Sequence, residues 1–374
     1  MVIFEILFFV CLGVLVYAHV VYPVVIFIWS EVKKKPHQKK EWYPSVTLVV
    51  PFYKEGKDIV EAKLENVKNL EYPKDKLKAL FVSDGAKGRG AEIIEKEEDK
   101  RIGLVRLFEH QGKPTALNIG AVEAKGEIVV FSDIHGMMNP GAVKYMVENF
   151  YDEKVGAVLG VYKVEGDKAS QLDRAKGRYW DFELFLKKRE GWIWSILGCH
   201  GTLYAVRKSL YEPLRRDIIN DDFVIPSQVA LKGYRTVYEE RSVLKDRIST
   251  GISHELRRRT RIAYGNWQQM AVLWKDLVKR RGFLLWQFLS HKAVRTVQGF
   301  LVAYMVLCSV FVRGVVFDVF LVGFGLVVAG GLLGFLAERG RFLKVFNMSS
   351  LFLLGTWGQI KGSFSYFFGK KIRW

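Results

Sequence analysis

The chain has 374 residues, a formal net charge of +18 and 50% hydrophobic residues, a length that allows two or three domains. Its three cysteines show no disulfide framework and no zinc-ligand spacing, since Cys11 and Cys308 lie in apolar runs and Cys199 stands alone. A strongly basic chain suggests nucleic acid, but many of these cations flank apolar runs long enough to cross a bilayer, where anionic lipid attracts them, so no nucleic-acid partner is expected.

The first such run, Ile6 to Trp29, contains no Asp, Glu, Lys or Arg. A signal peptide fits poorly, because Glu5 replaces the basic leader and no small-residue cleavage site follows. Lys33-Lys34-Lys35-Pro36-His37-Gln38-Lys39-Lys40 comes next, a cytoplasmic type of flank.

A soluble portion then alternates strand-like and helix-like segments. Val46 to Pro51 reads as a strand buried on both faces. Ile59 to Leu70 reads as a helix, Leu77 to Val82 as a strand and Ser83-Asp84-Gly85 as its exit turn. Ala91 to Glu98 is helix-like, Gly103 to Phe108 strand-like, and Thr115 to Ala124 helix-like again. Glu127 to Phe131 is a fourth strand, ending at Ser132-Asp133-Ile134-His135. This order predicts an α/β domain with a mainly parallel sheet. Ligands gather at the carboxyl ends of such strands. Glu55, Asp84 and Asp133 all lie just past strand ends and are expected to converge on one crevice. Singly, each is also an ordinary loop or turn residue.

His110-Gln111-Gly112-Lys113-Pro114 sets a lysine before a helix start, where an anion can bind. The Walker spacing is absent. Val155 to Val164 is another strand. Ala169 to Arg189 reads as a helix with an aromatic stripe at Tyr179, Trp180, Phe182 and Phe185. Gly198-Cys199-His200-Gly201 allows close backbone approach to a ligand, before a strand at Thr202 to Val206. Asn220-Asp221-Asp222 opens an amphipathic run ending at Leu231-Lys232-Gly233. Adjacent carboxylates repel, so one of the two is expected to hold its proton more tightly. A plain helix start, with an aspartate cap and an acidic first turn, is the alternative.

After a strand at Arg235 to Tyr238, a basic helix runs from Ser253 to Lys279. Arg258 and Arg261 share one of its faces. Two apolar runs follow, Thr296 to Val312 and Val315 to Ala337, joined tightly at Arg313-Gly314 as a helical hairpin. Basic residues before the hairpin, and Arg339, Arg341 and Lys344 after it, put Lys33 to Arg295 in the cytoplasm. The tail Phe346 to Phe368 reads as an interfacial or re-entrant helix. The expected units are therefore a transmembrane helix at 1–32, a cytoplasmic domain at 33–295 that includes a basic interfacial helix, and a transmembrane hairpin with interfacial tail at 296–374.

Taken together, these motifs resemble those of membrane-bound family 2 glycosyltransferases, the group related to cellulose, hyaluronan and poly-N-acetylglucosamine synthases. Val50-Pro51-Phe52-Tyr53-Lys54-Glu55 resembles the opening strand and loop. Ser83-Asp84-Gly85 resembles the segment whose aspartate contacts the nucleoside. Gly112-Lys113 with Ala116-Leu117-Asn118 resembles G-K-x-x-A-L-N. Asp133-Ile134-His135 occupies the D-x-D metal position, with histidine in place of the second acid. Gly198 to Arg207 and Asn220-Asp221-Asp222 resemble the acceptor-side segment and T-E-D, whose last acid is the catalytic base. Arg258-Arg259-Thr260-Arg261-Ile262 falls where Q-x-x-R-W stands and lacks its Gln and Trp. Ser290-His291-Lys292 and Trp374 also fit the group.

The resemblance implies a GT-A fold and inverting transfer from a nucleotide-sugar, with a UDP-sugar the expected donor, to a saccharide acceptor at the membrane. It implies Asp222 as catalytic base with Asp221 beside it. Pro51, Tyr53, Glu55, Asp84, Lys113, Asp133, Arg258 and Arg261 would bind the donor. His200, Gly201, Trp192 and Trp194 would lie on the acceptor side. Asp133 and His135, two apart on an extended segment, would hold a divalent metal, Mn²⁺ or Mg²⁺. The alternatives are single addition to a polyprenyl-phosphate or other lipid acceptor, and a non-catalytic membrane scaffold.

Overall fold

The computed structural model describes residues 2–85, 89–164, 171–199, 203–246, 252–336, 346–370 and 372. At its centre is an eight-stranded sheet. The strands are β1 (Val46–Phe52), β2 (Leu77–Asp84), β3 (Ile102–Leu107), β4 (Ile128–Ser132), β5 (Met137–Met138), β6 (Val155–Val164), β7 (Leu203–Arg207) and β8 (Arg235–Asp246). Their order is β3-β2-β1-β4-β7-β6-β8-β5. β3, β2, β1 and β4 pair in parallel. β7 enters antiparallel between β4 and β6, and β8 returns parallel to β6. The mainly parallel α/β sheet predicted from the alternation is the one observed.

The helices are α1 (Val2–Val16), α2 (Tyr22–Val32), α3 (Lys57–Lys68), α4 (Arg89–Glu95), α5 (Lys113–Glu123), α6 (Ala142–Glu148), α7 (Gln171–Ile193), α8 (Asp221–Leu231), α9 (Ile252–Arg280), α10 (Gly282–Gln287), α11 (Val294–Phe311), α12 (Val315–Leu336) and α13 (Phe346–Phe367). β1 shows why its sequence is apolar without alternation. Val46, Leu48 and Val50 pack towards Val60 and Leu64 of α3 on one face. Val49 packs towards Ala116 and Leu117 of α5 on the other. Both faces are covered, so every side chain of the strand is buried. Strand order reverses between β1 and β4, which places a crevice at their carboxyl ends.

Among the described residues, three helical runs are long and apolar enough to cross a membrane: Val2–Val32, Gly282–Phe311 and Val315–Gly334. The second begins earlier than the sequence pattern suggests, because α10 and a π-turn at Phe288–Ala293 continue into α11. The first carries a π-turn of its own, Tyr17–Val21. Phe8, Met305, Cys308, Val312 and Phe317 form one apolar cluster among α1, α11 and α12. α13 lies along α9: the Trp267 indole donates to Ser363 Oγ at 2.8 Å, and Gly358 and Gly362 sit against Arg259 and Thr260. Arg339, Arg341, Lys344 and Trp374 lie outside the described residues.

Candidate active site

The crevice is built on Lys113. It opens α5, and its ammonium reaches Asp133 at 2.9 Å and Asp221 at 3.2 Å. One cation thus joins the end of β4 to the start of α8. Burial pushes this ammonium towards losing its proton, but Asp133 and Asp221 outweigh burial and its pKa is raised.

Asp221 and Asp222 begin α8 with different partners. Asp221 is 2% exposed and accepts from the Tyr204 hydroxyl at 2.9 Å as well as meeting Lys113. Asp222 is half-buried, and its pKa is pushed up to about 6, first by burial and then by the charge of Asp221, against the pull of Lys113, Lys187 and Lys292. Of the plain helix-start alternative, the acidic first turn is observed but the aspartate cap is not. The residue at the cap position is Asn220, and its side chain makes no capping bond. Its amide instead donates to Asn266 Oδ1 and Gln269 Oε1 on α9, each at 3.1 Å. α9 also receives the Ile219 N–H on Gln268 Oε1 at 3.1 Å. The helix that grips this loop is therefore the one that presents the arginines.

Arg261 is half-buried. Burial and the neighbouring Arg258 lower its pKa, while Asp133, Asp221 and Asp222 all oppose that shift, which places its guanidinium in the field of the acid cluster. Arg258 faces Glu255 at 3.7 Å and lies 6.0 Å over the Trp180 ring.

Asp84 ends β2 rather than standing in the turn after it. Its two oxygens accept the Gln111 and Gly112 N–H groups at 2.7 and 2.8 Å, and His110 Nδ1 lies 2.9 Å away. It thereby shapes the loop that delivers Lys113. The His110 ring stacks on Tyr53 with centroids 3.9 Å apart, and Tyr53 follows β1 directly after Pro51-Phe52. Gly85 makes this packing possible. Its φ is +68°, and a Cβ there would lie 2.3 Å from His110 N.

Glu55 accepts the Tyr53 N–H at 2.6 Å and faces His135 Nε2 at 3.6 Å. Burial alone would raise its pKa, but the bonds from His135 and Tyr53 prevail and lower it. The same bond to Glu55, against burial, raises the pKa of His135. The premise for His135 as a metal ligand needs correction. Residues 133–136 form a turn closed by Gly136 N–H to Asp133 O at 3.2 Å, not an extended segment. His135 is directed to Glu55, and Asp133 to Lys113. Among the described residues no group of three His, Cys, Asp or Glu is placed to hold an ion. Asp133 is the carboxylate here that could hold a divalent ion, Mg²⁺ or Mn²⁺, with phosphate oxygens of a ligand completing the shell.

The two tryptophans also depart from expectation. Trp192 lies 3.9 Å from Lys34 Nζ and Trp194 lies 5.5 Å from Lys35 Nζ. They brace the segment leaving α2 rather than the acid cluster. Trp194 lines a cavity of about 840 Å³ with Trp29, Lys35, Lys232, Arg280 and Phe283. None of the acid cluster lines it, so it is not the crevice. His200 and Gly201 lie outside the described residues.

Sequence reasoning missed two lysines. Lys63 of α3 is fully buried and supports the 133–136 turn from beneath, donating to Ser132 Oγ at 2.7 Å and Gly136 O at 2.5 Å. Burial lowers its pKa to about 7, against Asp133. Lys187 of α7 is also fully buried and donates to Gly198 O at 2.6 Å. Both look like ordinary surface lysines in sequence. For Lys187 a signal existed: it shares a face with Glu183 and Glu190 at helical spacing.

Residues 47–215 match the family model described as glycosyl transferase family 2. The chain carries a family 2 glycosyl transferase domain. It is 29% identical over 212 residues to a poly-beta-1,6-N-acetyl-D-glucosamine synthase of Staphylococcus aureus, a match covering 55% of this chain and 50% of that protein. It is 28% identical over 178 residues to the probable glycosyltransferase YdaM of Bacillus subtilis, covering 46% of this chain and 42% of that one. The chain thus spans about half the length of these curated relatives. The mannosyltransferase PcManGT of Pyrobaculum calidifontis, solved with GDP-Man and Mn²⁺, matches with a TM-score of 0.71 at 21% identity over 97% of this chain and 99% of that one. That likeness shows the GT-A type of fold.

Proposed function

We propose that the protein is an inverting glycosyltransferase. It moves a sugar from a nucleotide-sugar to a hydroxyl of a saccharide acceptor at a membrane face, in polysaccharide or glycan synthesis. The observation that carries this reading is the division between Asp221 and Asp222. Asp221 is committed to Tyr204 and Lys113. Asp222 has a pKa near 6, suited to taking a proton from an acceptor hydroxyl near neutral pH.

Displacement at the anomeric carbon releases a diphosphate, which needs positive charge around it. Lys113 and Arg261 supply that charge, with Arg258 at the rim, and arginine adds a planar fork of donors for phosphate oxygens. A divalent ion held by Asp133 would neutralise further charge on the leaving diphosphate. Pro51, Tyr53 and Asp84 shape the nucleoside end, with Glu55 and His135 closing its edge. The family resemblance favours a UDP-sugar, while the solved neighbour contains GDP-Man, so the donor screen covers both nucleotides.

The domain from 33 to 295 faces the cytoplasm in this reading, where nucleotide-sugars are made, and 1–32 and 296–374 hold it at the membrane. Single addition to a lipid acceptor is the second reading. It is favoured by Arg258-Arg259-Thr260-Arg261-Ile262, which lacks the Gln and Trp of Q-x-x-R-W. Turnover of UDP- and GDP-sugars by the purified protein, followed by product sizing, tests both. Asp222→Asn keeps the shape but not the base, and should lower transfer ~10²- to 10⁴-fold with donor binding retained. Near-normal turnover in that variant removes Asp222 as base. No turnover of any donor leaves the scaffold reading.

A further inference from the structure

α7 carries three ionisable side chains on one face, Glu183, Lys187 and Glu190, and each is at most 1% exposed. Buried charges are costly unless paired and bonded. Glu190 accepts from the Tyr22 hydroxyl at 2.6 Å and from Gln287 Nε2 at 2.7 Å, and meets His291 Nδ1 at 2.6 Å. Glu183 meets His291 Nε2 at 3.2 Å and is paired with Arg295. Tyr22 belongs to the first apolar run, and Gln287, His291 and Arg295 to the second. Both runs make a π-turn at this level, Tyr17–Val21 and Phe288–Ala293. Such turns add a residue to the helix and re-aim its side chains.

Lys187 sits between the two glutamates. Its ammonium donates to Gly198 O at 2.6 Å. The next residue, Cys199, donates its N–H to Asp222 O at 2.7 Å. Gly198, at φ +71°, lies so close to the Phe223 ring that a Cβ would fall 1.9 Å from Phe223 Cδ2. Lys292, beside His291, holds its ammonium 4.9 Å from the centroid of that same ring. A continuous line of contacts therefore runs from two apolar helices, through α7, to the backbone of Asp222.

We propose that Lys187 is a positioning residue for Asp222, and that Glu190 and His291 tie it to the apolar helices, so that the membrane part of the protein sets the geometry of the catalytic base. This rests on reading Asp222 as the base. Among the described residues, the charged and titratable groups facing Asp222 are Asp221 on its own helix, Lys113 on α5, Lys187 on α7, Lys292 on the second apolar run, Tyr204 on β7 and Arg261 on α9. Lys187 thus acts on Asp222 in two ways, through the Gly198–Cys199 backbone and through its charge.

The test uses the full chain in lipid nanodiscs, with UDP- and GDP-sugars as donors. Tyr22→Phe removes one hydroxyl from the line without emptying the core. Lys187→Met removes the bond and the charge. Both should lower kcat ~10-fold or more with donor KM unchanged, the pattern of a misplaced reacting group. Lys187→Met should also move the acid limb of kcat to higher pH, because a cation beside Asp222 is lost. A purely structural role would lower the melting temperature or raise donor KM and leave that limb in place, and this result would overturn the proposal. Wild-type kcat and acid limb in both variants would overturn it too. If Lys187→Met fails to fold, Tyr22→Phe decides alone. An inert Asp222→Asn beside unaffected Tyr22→Phe and Lys187→Met rejects only this inference, whereas an active Asp222→Asn rejects the base assignment itself.

Discussion

Tyr204 donates its hydroxyl to Asp221 Oδ2 at 2.9 Å, and Asp221 is thereby held in a structural place while its neighbour is left to titrate. The two acids of one motif differ in surroundings, since Asp221 meets a buried phenol and a lysine while burial and the Asp221 charge raise the pKa of Asp222.

The first consequence is a pH profile. With Asp222 as the proposed base, transfer needs it ionised, so kcat should rise with an apparent pKa of about 6 and fall below it. Stability runs the opposite way. The folded chain holds this proton more tightly than the unfolded chain, so the group's contribution is complete below the ordinary carboxylate pKa and is lost as pH rises through about 6. Parallel kcat and melting profiles between pH 4 and 8 check both signs, with Asp222→Asn flattening this component of each. A kcat that is level across pH 6 would exclude Asp222 as base.

Lys113→Met should disrupt the donor site and the base together. The lysine joins Asp133 to Asp221 and also pulls the Asp222 pKa down. Its loss should raise donor KM and shift the acid limb of residual activity above the wild-type position. An unchanged limb would mean that Lys113 acts only on the donor.

Asp133 and His135 are expected to separate in metal dependence. Asp133→Asn should lose stimulation by Mn²⁺ and Mg²⁺ alike, since it removes the protein carboxylate at the ion. His135→Gln removes the imidazole facing Glu55 and should raise donor KM by less than ~10-fold, in the range of a lost, partly exposed ion pair. It should keep the wild-type metal preference. A change of preference in His135→Gln, measured by metal titration of donor binding as well as turnover, would restore His135 to the metal shell.

Gly198→Ala probes the contact beneath Asp222. The added Cβ would overlap the Phe223 ring, and the backbone there is left-handed at φ +71°. Overpacking of this kind costs about 1–3 kcal/mol. The expected result is a lower melting temperature together with a fall in kcat larger than the rise in donor KM. Unchanged kcat in a folded variant would show that this turn does not carry the base.

Orientation is open to labelling. A cysteine placed at the exposed Lys125 should react with an impermeant thiol reagent only after sealed cells are permeabilised, if 33–295 faces the cytoplasm. Reaction in intact cells would reverse the topology.

The strands, the helices between them and the three apolar runs were legible in sequence, because burial writes a periodic pattern. Val46 to Phe52 is apolar throughout because both its faces are covered, and Val2–Val32 because lipid would surround it. The acids at strand ends were legible as well, since a parallel sheet delivers its loops to one edge. The sequence could not assign partners. Nothing in Asp221-Asp222 says which carboxylate meets Tyr204, because that depends on β7 entering antiparallel beside β4. Nor does Asp133-Ile134-His135 show that the backbone turns and sends His135 to Glu55. Lys63 and Lys187 are polar letters on helices that sequence would place at the surface. Only packing buries them, because the groups they bond, Gly136 O and Gly198 O, come from loops 73 and 11 residues away along the chain. Periodicity reports whether a residue meets water or core. The identity of the opposing atom is set by tertiary contact, and in this protein that atom decides the chemistry.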